Sequence, residues 1–142
     1  MRYTVLFSIS LLILLIGCSK NKFSTTPSLK FKSINTNQLN RGEEIRFTLS
    51  FTDAEGDLTG SIFVREVVPG CPADTVHYGS YALPAFPTSK NQQGDVVVTL
   101  GYNDFPPQCA PKNDTAVFRF ALIDKALHVS DTVSSPVIII YN

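Results

Sequence analysis

The sequence predicts an all-β domain, folded as a sandwich of antiparallel strands. Three observations carry that prediction. Apolar and polar residues alternate with period two through most of residues 29–142. Runs rich in Gly, Pro, Asn and Asp punctuate the alternation at 40–42, 55–57, 69–70, 84–94 and 103–114. No segment carries the 3.6-residue spacing of an amphipathic helix.

The strands follow in order. The first is expected over about 29–36. The second covers about 43–52, where Ile45, Phe47, Leu49 and Phe51 point one way and Arg46, Thr48 and Ser50 the other, so one face is wet. The third, about 58–68, puts Ile62 and Val64 on one face. A fourth spans about 75–83 and a fifth about 95–102. The sixth, about 115–123, turns Phe118, Phe120 and Leu122 inward and Arg119 outward. The seventh, about 132–141, has Pro136 near its middle, which demands an edge strand or a break into two pieces. Seven strands at this spacing predict a seven-stranded antiparallel immunoglobulin-like sandwich. The antibody-type core pattern is missing, because there is no Trp and neither Cys71 nor Cys109 falls in a strand.

Composition bounds the function. The chain has 142 residues, 44% of them hydrophobic, enough for one core. Twelve Lys+Arg balance twelve Asp+Glu, and a chain without basic excess is not expected to bind nucleic acid. Two His leave little material for histidine-based chemistry. Neither His77 nor His128 has a nucleophile in a recognisable elbow beside it, and Glu43-Glu44 and Asp53/Asp57 are carboxylate pairs of a kind common in acidic loops. No enzyme is expected, and no cofactor is required.

The N-terminus carries an address. Arg2 precedes an apolar run over 5–16, the anatomy of a secretory signal and too short to span a bilayer. Its end, Leu15-Ile16-Gly17-Cys18, resembles the lipobox of bacterial lipoproteins. That resemblance implies removal of 1–17, acylation of Cys18, and a membrane contact through the N-terminal lipid. Two or three acyl chains hold a protein in a membrane, whereas one chain is marginal. Polar residues 18–28 then form a lipidated tether ahead of a domain at 29–142. Ser19 favours the outer membrane, and Lys20-Asn21-Lys22 favours its periplasmic face over the cell surface. In an exported chain the remaining pair, Cys71 and Cys109, is expected as a disulfide. Both fall in loops at one pole of the expected sandwich, which makes the bridge geometrically sensible.

Phe51-Thr52-Asp53-Ala54-Glu55-Gly56-Asp57-Leu58 is the most informative stretch. It resembles the FTDxDGDL turn of small immunoglobulin-like lipoproteins of Bacteroidetes, as does the tail Leu122-Ile123-Asp124-Lys125-Ala126-Leu127-His128-Val129-Ser130-Asp131. Leu127-His128 stands where those proteins have Gly-Asn, and Glu55 where Asp is usual. The turn has two readings. Asp53 caps its own backbone and Gly56 takes a positive φ; or Asp53, Glu55 and Asp57, joined by Asp124 from the same pole, offer hard oxygens to a structural Ca²⁺. Three Asp-Thr-apolar triplets resemble Bacteroidetes O-glycosylation acceptors, with Thr75, Thr115 and Thr132 as the sugar-bearing residues. The same triplets also suit strand starts, since β-branched Thr favours strands.

Function is expected to be non-enzymatic. The leading expectation is a lipid-anchored cell-envelope module that binds an envelope protein or glycan, with Tyr81, Phe86 and Phe105 as loop contact anchors. Aromatics in such loops more often fold back on the sandwich as staples. The alternative is a structural envelope lipoprotein, Ca²⁺-stabilised, with no specific ligand.

Overall fold

A computed structural model describes residues 22–71 and 77–142. Among the described residues the regular elements are nine strands: β1 (Ser28–Ile34), β2 (Gln38–Leu39), β3 (Glu44–Asp53), β4 (Ser61–Val67), β5 (Tyr78–Ala82), β6 (Gln92–Gly101), β7 (Asp114–Ile123), β8 (Val133–Ser134) and β9 (Ile138–Ile140). One sheet has the order β1-β3-β6 and the other β2-β9-β7-β4-β5, with β8 also on β7. The fold is all-β and sandwich-like.

The alternation does the folding. In β3 the inward phase is Ile45, Phe47, Leu49, Phe51 and then Asp53, all buried. In β7 it is Asp114, Ala116, Phe118, Phe120 and Leu122, also buried. The two layers meet where the Phe47 ring lies 5.2 Å from Phe118 and 5.0 Å from Phe120, both tilted. Such aromatic pairs add about 1 kcal/mol beyond the area they bury.

The strand count departs from the expected seven in two places. The first predicted strand ends at Ile34, because Asn35 and Thr36 divert the backbone. Asn35 Oδ1 accepts from the Arg46 N–H at 2.7 Å, and Thr36 Oγ1 accepts from the Gln38 N–H at 3.1 Å. The chain then crosses to the other sheet, where β2 pairs with β9 in parallel, so the sandwich is not wholly antiparallel. The seventh predicted strand breaks at Pro136, as a residue without an N–H requires. Two buried serines bridge the gaps in the ladder beside β7. Ser130 Oγ accepts from the Leu122 N–H at 2.9 Å, and Ser135 Oγ from the Phe118 N–H at 3.0 Å.

Loops gather at two ends. At one, Cys71 of the β4–β5 loop and Cys109 of the β6–β7 loop form the expected disulfide, with Cα atoms 5.6 Å apart. At the other, the β3–β4, β5–β6 and β7–β8 loops meet. Gly56 has φ +71°, and a Cβ on it would overlap the Ser89 carbonyl; a Cβ on Gly60 would overlap that of Ile123. The segment before β1 joins this second end. The Ala54 N–H donates to the Ser24 carbonyl at 3.0 Å, Asn91 Oδ1 accepts from the Lys22 N–H at 2.8 Å, and Pro27 is buried. Among the described residues, contacts of the folded unit therefore reach back to residue 22, within the stretch expected as tether.

Candidate functional site

The acidic end forms from strand phase. Asp53 and Asp124 each extend the buried phase of their strands, β3 and β7, by one step. Both are fully buried. Asp53 Oδ2 accepts from the Gly56 N–H and, at 3.3 Å, from that of Asp57, so the capped-turn expectation holds. Asp124 Oδ1 accepts from the His128 N–H at 2.7 Å, and its Oδ2 lies 3.0 Å from His128 Nδ1. The Lys125 N–H donates to the Asp57 carbonyl at 3.1 Å, locking the two acidic turns together. One carboxylate oxygen from each of Asp53, Asp57 and Asp124 lies within 4.8 Å of the others.

Glu55 departs from its expected place. It is exposed, and its Oε2 lies 3.9 Å from His128 Nδ1, so it belongs with Asp124 and His128 on the rim rather than with Asp53 and Asp57. Its extra methylene and outward position in the turn carry it past the cluster. Leu127, where the resemblance has Gly, sits at φ +70° and is largely exposed. An L residue in this conformation is strained by roughly 1–2 kcal/mol.

Of the two readings of the loop aromatics, the staple reading holds. Phe105 is buried and meets Phe118 edge-on at 5.2 Å. Phe86 tilts against Phe51 at 5.4 Å. Tyr81 lies in β5, inside the predicted fourth strand, and packs on the core, and burial raises its phenol pKa. Apolar ring area favours burial over a wet loop tip, which loop position alone does not reveal. Thr115 and Thr132 are both exposed, whereas Thr75 and Cys18 lie outside the described residues.

A different surface presents aromatics to solvent. On the outer face of β4, β5 and β7, Arg65 stands directly opposite Arg119 on one side and Tyr78 on the other. Its guanidinium lies 5.5 Å from the Tyr78 ring centre. Phe63, 43% exposed, and Tyr78, 70% exposed, flank the arginines along a shallow groove of about 310 Å³ that Thr132 also lines. Like charges directly opposite destabilise a sheet. Among the described residues neither arginine has a carboxylate ion-pair partner. A larger open groove, about 580 Å³, lies over Phe51 and Gly94 on the other sheet, and its Lys30 and Asp95 leave it without a dominant charge. The arginine face was missed in sequence because its signal is register: alternation shows that Arg65 and Arg119 point outward, not that they face each other.

The disulfide end holds a second feature missed in sequence. Glu66 continues the inward phase of Ile62 and Val64 and is buried. Its Oε2 accepts from Gln108 Nε2 and lies 3.2 Å from His77 Nδ1, while Oε1 has no donor among the described residues. Burial pushes its pKa up to about 7, against the hydrogen bond from Gln108 and with the negative charge of Asp114. His77 is half-buried on this carboxylate.

No family model matches the chain, and no curated protein matches it. Among solved structures, the sporulation control protein Spo0M of Bacillus subtilis is 11% identical with a TM-score of 0.47, over 82% of this chain and 50% of its own. A β-glucosidase from Listeria innocua is 15% identical with a TM-score of 0.47, over 82% of this chain and 16% of its own. A Niemann-Pick type C2 protein from the Japanese carpenter ant is 12% identical with a TM-score of 0.46, over 85% of this chain and 97% of its own. The chain thus spans half of the first and a sixth of the second. Likeness at this level carries no functional argument.

Proposed function

We propose that this protein is a lipid-anchored, non-enzymatic binding or accessory module of the cell envelope. Its domain is of immunoglobulin type, held through Cys18 at the outer membrane with the periplasmic face favoured. The partner is an envelope protein or glycan carrying anionic groups. One observation carries the reading: Arg65 and Arg119 face each other, without carboxylate partners among the described residues, between the exposed rings of Phe63 and Tyr78. Arginine and tyrosine are enriched where partners bind tightly. A guanidinium grips carboxylate or sulfate groups in two-pronged fashion, and the flanking rings offer stacking faces. The cost of juxtaposing two cations is recovered when an anion sits between them.

Other features agree. The Cys71–Cys109 bridge suits an oxidising compartment outside the cytoplasm. The parallel β2–β9 pair, with the first strands divided between the two sheets, supports the immunoglobulin-type reading. Exposed Thr115 and Thr132 support glycan attachment at those triplets, which mass spectrometry of native protein checks by added hexose.

The test compares the wild-type protein with an Arg65→Ala/Arg119→Ala double variant. Retention on a sulfated polysaccharide and crosslinking in native envelopes are measured side by side. The expected result is retention that falls with salt and drops at least about tenfold in the variant, in line with the loss of two charge-assisted contacts. The whole chain has no net charge, so retention reports the local face. Wild-type protein that is neither retained nor crosslinked to a partner favours a structural envelope role instead.

A further inference from the structure

We propose that Asp53, Asp57 and Asp124 form a binding site for a divalent cation, and that its occupant is Ca²⁺. Three carboxylates whose oxygens lie within 4.8 Å of one another repel strongly, the more so because Asp53 and Asp124 are fully buried. Taking an ionised carboxylate out of water costs several kcal/mol unless something compensates it. No Lys or Arg among the described residues pairs with any of the three. His128 reaches Asp124 but is half-exposed, and its contacts do not include Asp53 or Asp57.

The second observation is independent of clustering. Asp53 spends only Oδ2 on the turn; its Oδ1 is buried with no donor among the described residues. Asp57 Oδ1 is buried in the same condition. Buried polar atoms are almost always satisfied, so bare oxygens on two carboxylates of one cluster mark a place where a cation belongs. The donor set is oxygen throughout, which selects a hard ion. Asp53, Asp57 and Asp124 supply the inner oxygens, rim-placed Glu55 can add another, and water completes a shell of about six to eight. Such an irregular set suits Ca²⁺ better than Mg²⁺, which demands near-octahedral geometry. The site is also built before binding. The Lys125 N–H donates to the Asp57 carbonyl, that of Asn91 to Ala54, and Gly56 and Gly60 allow the loops to touch.

The experiment uses the full-length protein in detergent, stripped of divalent ions by a chelator and titrated with Ca²⁺ alone by calorimetry and thermal melting. One equivalent is expected to bind, and a hundredfold excess over Kd should raise the melting temperature by roughly 10 °C. Asp53→Asn keeps a carbonyl oxygen to accept from Gly56, so the turn survives. It is expected to weaken binding at least about tenfold while leaving the metal-free melting temperature unchanged or higher. Asp57→Asn, at a half-buried position, should do the same, and it carries the test if the first variant does not fold. Glu55→Gln should change affinity less than about threefold. The proposal is overturned if roughly 5 mM Ca²⁺ neither binds nor shifts melting, or if Asp57→Asn binds as well as wild type.

Discussion

The two ends of this sandwich solve one problem in opposite ways. At each end an inward strand phase runs into an acid: Asp114 and Glu66 near the disulfide, Asp53 and Asp124 at the acidic turns. Near the disulfide, Asp114 is satisfied by the protein, with Oδ2 accepting from the Gln108 N–H and Oδ1 from that of Cys109 at 2.9 Å, whereas Glu66 leaves Oε1 without a donor among the described residues and is pushed by burial towards its protonated form. A covalent bond closes the loops around it. At the other end no covalent bond joins the loops, the acids lie together, and Asp53 and Asp57 each leave an oxygen bare. A buried carboxylate is a structural pin when its donors come from the chain. Where they do not, it holds a proton more readily, as Glu66 does, or, as proposed for Asp53 and Asp57, it takes a cation.

The comparison is broken most directly at the disulfide. Replacing Cys71 and Cys109 by Ser releases a 38-residue span and should cost about 4 kcal/mol in the chain-entropy account. A denaturant midpoint little changed from wild type would mean that the two ends are held alike. Next comes Asp114→Ala, which leaves two partly buried N–H groups without acceptors and should cost about 2–3 kcal/mol. Measured beside metal-free Asp53→Asn, it should destabilise where that variant does not; equal losses would erase the distinction.

Glu66 sharpens the comparison through pH. Its carboxyl is held at about 7 instead of the usual 4.5, chiefly by burial. The protonated form is therefore favoured in the folded state, and the neighbours that face it are His77, Gln108 and Asp114. Its contribution to stability is complete below about pH 4.5 and is lost as pH rises through about 7. Wild-type melting temperature should fall between pH 5 and pH 8 relative to Glu66→Gln, in which nothing titrates at that position. Parallel curves would place Glu66 in water. The smallest effect belongs to the acidic end. Leu127→Gly relieves a left-handed residue and should stabilise by about 0.5–1 kcal/mol, the relief being partly offset by a freer unfolded chain. Chemical denaturation resolves that difference.

Much of this was legible from alternation. The phase of Ile45, Phe47, Leu49 and Phe51 places β3, that of Phe118, Phe120 and Leu122 places β7, and Pro136 announces the break before β9. The same phase, carried one step further, reaches Asp53 and Asp124, so the acidic cluster was written in the strands as well as in the turn. Glu66 was legible by the same rule, because it follows Ile62 and Val64 at period two. Register was not legible. Arg65 meets Arg119 only because β4 and β7 align at that residue, and neither strand encodes that alone. The burial of Phe105 agrees with the staple reading, but its partner was not legible, because a long loop folds back onto Phe118 from the adjacent layer.

The segment that enters the domain has a consequence for posture. Lys22 and Ser24 are tied to Asn91 and Ala54, beside Asp53. If Cys18 carries lipid, only a few residues separate it from these ties, a reach of roughly 14 Å when stretched. The molecule would then stand on its acidic foot, with the sulfur bridge uppermost. Its arginine flank would face sideways, parallel to the bilayer plane, towards neighbours in the same membrane.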